Sequence, residues 1–286
     1  MYHNELTREM IDRINEKVNE IRKKHKKAFP NPILKEDVLD LLDSYCRVVY
    51  YPIKDEYNNG FHISDIPTRK GKKLNFVYIN TAQTIEKQVF TAAHELGHIC
   101  EVDRFVLDDE YCECNDDIGE KIINRFAAEL LMPVEFFKYK FAFEFTKYSK
   151  ERGALESGMP FEDFIKMVVT LMDFFCVPYK SVVLRFNEMG LLKDNDTKDI
   201  LAPDNEKEIL SALIHFFREQ GLVQFINPTN RKRIEGLAEM LDKAETQNVL
   251  SIDKIRYIRR LFDLPNVNVA NSEINPLKIV VSEEEH

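Results

Sequence analysis

His94 and His98 stand four residues apart in the run Phe90-Thr91-Ala92-Ala93-His94-Glu95-Leu96-Gly97-His98-Ile99-Cys100. On an α-helix that spacing puts both imidazoles on one face, one turn apart, where they can bind a single cation. Zn²⁺ suits the pair, because neutral imidazole nitrogens bind it at about 2.0–2.1 Å. Glu95, the second residue of this H-E-x-x-H pattern, is turned about 100° from His94 and flanks the ion rather than binding it. Its carboxylate is placed to take a proton from an attacking water.

A catalytic zinc typically has three protein ligands, so a third must come from another element. Glu120 and Glu129 are the candidates. Glu120 follows His98 by 22 residues, room for a loop and a return on a second helix. Asn124, one turn farther along that face, can accept a hydrogen bond from a ligating histidine's free N–H, which fixes tautomer and ring direction. Glu129 lies nine positions beyond Glu120, about two and a half helical turns, and so faces the other way. Glu120 is the expected ligand. Cys112 and Cys114 form a rival C-x-C pair, but a closed thiolate site is structural and would leave Glu95 without a task. Cys46, Cys100 and Cys176 read as ordinary interior residues. The donor that steadies the developing oxyanion stays open among His62, Tyr78, Tyr111 and Arg125.

The frame for these side chains begins with a helix over residues 5–27, predicted by Ile11, Ile14, Val18 and Ile21 and stopped at Phe29-Pro30-Asn31-Pro32. A helix over 33–45 and a β-branched, aromatic strand from Arg47 to Ile53 follow. Asn58-Asn59-Gly60 signals a turn before a short strand at 61–63, and Lys70-Gly71-Lys72-Lys73 signals another. Leu74 to Ile79 is the strand that feeds the metal helix, with an N-cap available within Asn80–Thr84. Residues 100–117 are acidic and read as a loop, and a second helix runs from near Asp117 to Pro133. Helices over 134–149, 161–175 and 181–189 come next. The last two outline a helix–turn–helix that core packing explains without DNA. Residues 193–206 read as a polar linker, and helices over 205–219, 228–244 and 251–262 as a small bundle with a tail of twenty or so residues. The expected division is 1–30 (amphipathic helix), 31–192 (metal domain), 193–206 (linker) and 207–286 (helical domain and tail).

A hydrophobic share of 44% over 286 residues is ample for a packed core. The net charge of −9 argues against a protein that coats nucleic acid. Even the most basic stretch, 231–260, holds eight Lys/Arg against five Asp/Glu, which reads as a solvated face. Five cysteines without a regular framework fit a reducing compartment. With no secretory signal and no apolar run long enough for a membrane span, the expected location is the cytoplasm.

The metal run, together with Asn124-Arg125-Phe126-Ala127-Ala128-Glu129-Leu130-Leu131-Met132-Pro133, resembles the ImmA/IrrE family of metallopeptidases. Both family signatures, F-T-x-A-H-E-x-G-H and E-x-x-x-N-x-F-A-A-x-L-L-M-P, are matched. The likeness runs from about Ile33 to Leu192 and includes the closing R-x-x-x-M-G-L-L segment. Ile123 departs from it, standing where a small residue usually precedes the asparagine. The resemblance implies an α+β, zincin-like domain with a small mixed sheet, followed by an all-α extension. It also implies a gluzincin-type zinc endopeptidase with His94, His98 and Glu120 as ligands and Glu95 as catalytic base. Family members in bacteria and their mobile elements cut, or act on, helix–turn–helix repressors, so such a repressor is the expected partner. Two other classes remain: a non-proteolytic regulatory or toxin–antitoxin component that binds a repressor, and a DNA-binding regulator using residues 177–192 or the C-terminal helices. The N-terminal helix and residues 193–286 lie outside the resemblance.

Overall fold

Helix α3 (Ile85–Ile99) carries both histidines and lies between a small sheet and helix α5 (Asp116–Leu131). The computed structural model describes residues 6–55, 58–67, 71, 73–108, 116–152 and 159–265. Tyr111, the Cys112/Cys114 pair and the C-terminal tail fall outside them. Among the described residues, strands β1 (Arg47–Tyr51), β2 (Gly60–Pro67), β3 (Lys73–Asn80) and β4 (Arg233–Ile234) form one mixed sheet in the order β2-β3-β1-β4. β1 and β3 are parallel, while β2 pairs antiparallel to β3 and β4 antiparallel to β1. The fold is α+β, as the resemblance implies.

The sheet's core face is set by side-chain alternation. Val48 and Tyr50 of β1 and Val77 and Ile79 of β3 are buried with Val89, Ala92, Ala93 and Leu96 of α3. Small residues let α3 pack closely on both sides. A Cβ on Gly97 would stand 3.0 Å from Phe126 and 3.1 Å from Ile123 of α5, so these helices meet at the glycine. A Cβ on Gly60 would stand 2.6 Å from both Thr91 and the Tyr78 carbonyl oxygen. Gly60, the last residue of the Asn-Asn-Gly turn signal, is thus the strand position where β2 passes against α3. The buried Asn80 fixes the loop before it: its amide donates to the carbonyls of Ile53 (3.0 Å), Asp55 (3.2 Å) and Asn58 (2.8 Å).

Helix α1 (Arg8–His25) buries Ile14, Val18 and Ile21 and packs on α5 and on α4 (Val102–Leu107). Arg13 grips Asp108 with two hydrogen bonds of 2.7 and 2.8 Å. Arg22 donates to the carbonyls of Pro32 (2.6 Å) and Leu130. Helix α2 (Asp37–Asp43) packs against α3 and buries Val38, Leu39, Leu41 and Leu42.

Five sequence expectations differ from the structure. Residues 102–107 are a helix rather than loop, because Val102 and Val106, one turn apart, bury a face that the acidic composition hides. β2 spans eight residues instead of three. The stretch 193–206 is helical: α9 (Asp194–Leu201) has Asp194 and Asp196 in its first turn, and Pro203 opens α10 (Pro203–Glu219). α10 then buries Ile209, Leu213, Phe216 and Phe217 in the main core and packs on α7 (Phe161–Phe175), so it belongs with the unit that carries His94 and His98. Residues 228–236 are non-helical and supply β4, and a left-handed Gly236 (φ 69°) precedes α11 (Leu237–Thr246).

The chain divides into two units, Met1–Glu235 and Gly236–His286. Within the second, α11 and α12 (Ile252–Leu261) bury Leu241 and Ile255. There Arg259 pairs with Asp242 and donates to the Pro265 carbonyl at 2.7 Å. In the first unit, α6 (Val134–Arg152) and α8 (Tyr179–Glu188) complete the helical layer around α7. α8 has Tyr179, Val182, Val183, Arg185 and Phe186 buried, so the helix–turn–helix outline is spent on the core. Among the described residues no single helix is long and apolar enough to cross a membrane.

Candidate metal centre

His94 and His98 come from the last two turns of α3, and Glu120 from the first turns of α5. One ligand atom from each lies within 4.8 Å of the others. His94 Nε2 and His98 Nε2 are 3.2 Å apart. Glu120 reaches both, its two oxygens standing 3.4 Å from His94 Nε2 and 3.3 Å from His98 Nε2. The Gly97 contact with Ile123 and Phe126 holds the two helices at this separation.

Asn124 Oδ1 stands 3.0 Å from His94 Nδ1. A carbonyl oxygen can only accept, so His94 has a proton on Nδ1, and in the neutral ring the lone pair is the one on Nε2. That lone pair faces another imidazole nitrogen and a carboxylate oxygen. Converging acceptors repel unless a proton or a cation sits among them, and a two-histidine, one-carboxylate set is a zinc donor set. The residues present therefore fit a divalent metal.

Glu95 is turned off this face and is only 5% exposed. His62, projecting from β2, places Nδ1 3.0 Å from Glu95 Oε2. The His62 ring also stacks on that of His98, with centroids 4.7 Å apart and planes 27° apart. The hydrogen bond to Glu95 raises His62 above its ordinary basicity, against the effect of burial. Burial lowers that of His98, helped by the neighbouring His94.

Glu129 is occupied elsewhere. Its Oε2 accepts from Arg125 Nη1 at 3.0 Å and pairs with Arg185 Nη2 at 3.1 Å, while Oε1 accepts from the Val134 amide at 3.2 Å. Glu188 closes this buried network, bonding Arg125 and Arg185 at 2.6 Å each. The network ties α5 to α8 and uses Arg125, removing it from the oxyanion candidates. Tyr78 is also committed, its hydroxyl donating to the Tyr51 carbonyl at 2.9 Å. Among the described residues, His62 is the candidate that stands at the site. Its bond to Glu95 was not legible in the sequence, because it depends on the path of an edge strand over a helix.

The described cysteines take no part in the ligand cluster. Burial pushes the Cys46 and Cys100 thiols up to about 12 and about 11, and raises Cys176 as well.

No curated protein matches the chain. The profile of peptidase family M78, described as the IrrE N-terminal-like domain, matches residues 43–187 of 286, just over half of the sequence. The match contains β1 to α8 nearly whole, with both histidines, Glu95 and Glu120 inside it, and the chain belongs to this metallopeptidase family.

Proposed function

We propose that the chain is a zinc-dependent endopeptidase of the cytoplasm that hydrolyses peptide bonds in a helix–turn–helix transcriptional repressor. The observation that carries this reading is the convergence of three potential ligand atoms from His94, His98 and Glu120 beside the buried carboxylate of Glu95. His94 and His98 would hold the ion through Nε2 and Glu120 through its carboxylate, with Asn124 fixing the His94 tautomer. When bound, the zinc acts as a Lewis acid that polarises the scissile carbonyl and acidifies water toward about neutral pH.

Glu95 takes a proton from the attacking water and passes it to the leaving amine. Among the described residues β2 pairs with β3 alone, so its outer edge can pair with an extended segment of substrate through main-chain hydrogen bonds. Phe61 and Ile63, 44% and 49% exposed, offer that segment apolar contact. The repressor as target follows from the family resemblance.

Cleavage tests the reading at two levels. Zinc-loaded protein, incubated with a proteome-derived peptide library and with a repressor encoded beside its gene, should yield new termini by mass spectrometry, and Glu95→Gln should yield none. Library cleavage with an intact repressor would remove the repressor as substrate. No Glu95-dependent cleavage of either would remove the peptidase.

A further inference from the structure

The side chain of Glu95 is buried and, among the described residues, has one hydrogen-bond donor, His62 Nδ1 at 3.0 Å. A glutamate has three rotatable side-chain bonds. A general base that must meet a water in one place gains from a fixed orientation. Two features of the fold make His62 a fixed donor. Its strand is seated against α3 by the close approach at Gly60, and its register is set by pairing with Val77. Its ring is held flat by stacking on His98, while Phe61 and Ile63 on either side are exposed. The acceptor Glu95 settles the tautomer: Nδ1 carries the proton, whatever the state of Nε2.

Resting on the peptidase reading, we infer that His62 is the positioning residue for the catalytic base: it donates from Nδ1 to one carboxylate oxygen of Glu95 and holds that carboxylate in the orientation that receives the water's proton. This differs from the oxyanion role open to it in the sequence, which would use Nε2. Side-chain geometry separates the two. An asparagine amide nitrogen overlays histidine Nδ1, whereas a glutamine amide nitrogen overlays Nε2. His62→Asn keeps the donor to Glu95, His62→Gln keeps only the other one, and His62→Ala keeps neither.

The test uses the full chain loaded with zinc and, as probe, the hydroxamate of N-acetyl-leucine, titrated by calorimetry. On binding, the hydroxamic O–H gives its proton to Glu95, so affinity reads the placement of that carboxylate without a substrate. Metal analysis comes first: a parent chain that takes up no zinc overturns both this inference and the peptidase reading. With zinc bound, His62→Ala and His62→Gln should each lose about tenfold in affinity, the scale of one hydrogen bond to a charged group. His62→Asn should stay within about twofold, and all three should keep their zinc. In a Glu95→Gln background the three variants should no longer differ, because the coupling runs through that carboxylate. If His62→Ala binds the probe like the parent, if His62→Gln is the variant that rescues, or if the loss persists without Glu95, the inference falls while the peptidase reading stands. Should His62→Ala fail to fold, the contrast between Asn and Gln decides alone.

Discussion

At Gly97 two single-residue effects oppose each other. An alanine would favour the helix by about 1 kcal/mol. Its Cβ would stand 3.0–3.2 Å from Phe126 and Ile123, both fully buried in a packed interface, and overpacking of this kind costs about 1–3 kcal/mol. Gly97→Ala should therefore lower the denaturant midpoint; a midpoint at or above the parent's would show that α5 yields easily. Glu86 offers a pH test on the same helix. Burial holds its carboxyl above the ordinary value of 4.5, while Thr84 donates to Oε1 at 2.6 Å. The folded chain thus binds this proton more tightly than the unfolded one. The associated stability is present below the ordinary value and is lost as pH rises through the folded one. Glu86→Gln keeps the acceptor for Thr84 without the charge, so its melting temperature should rise relative to the parent's as pH rises from about 4 to about 8. A constant difference across that range would contradict the burial argument. That His94 and His98 share one helical face was legible at this scale, because helical spacing is a property of the chain itself. His62 was not, since its bond to Glu95 spans 33 positions.

Among elements, α5 is the one most constrained. It gives Glu120 and Asn124 to the face met by His94 and His98, Ile123 and Phe126 to the Gly97 contact, and Arg125 and Glu129 to the buried network with α8. Arg185 is 1% exposed and bonds Glu188, Glu129 and the Met132 carbonyl. Arg185→Met should cost about 3–5 kcal/mol by urea unfolding, because it leaves two buried carboxylates to a single arginine. A loss under about 1 kcal/mol would mean that water reaches the network. Periodicity exposed most helices and the strand before the metal helix. It missed α4, whose two buried valines are diluted by acidic neighbours, and the full length of β2, whose side chains are exposed or half-buried and break their alternation between Ile63 and Ile66. It also read 193–206 as a linker. Polar surface helices and polar loops share a composition, and here α9 buries only Thr197.

At the scale of the whole molecule, the unit that carries His94, His98 and Glu120 extends well beyond the family profile at both ends. α1 precedes the match and α10 follows it, yet both bury apolar stripes in the same core. Removing residues 1–27 should therefore give an aggregating or non-cooperatively melting chain. Ending the chain at Glu235 should leave cooperative melting within roughly 5 °C of the parent, because the unit that remains keeps its core. The sequence suggested a separate bundle from residue 207 because amphipathic helices reveal that they have a buried face but not which surface buries it.

The proposed chemistry requires that His94, His98 and Glu120 hold one divalent ion. Zinc content and affinity should be measured side by side on the parent, Glu120→Ala and Glu129→Ala. The expected result is about one zinc per parent chain, affinity reduced at least about tenfold in Glu120→Ala, and parental affinity in any folded Glu129→Ala protein. Glu120→Ala binding zinc as tightly as the parent would contradict it.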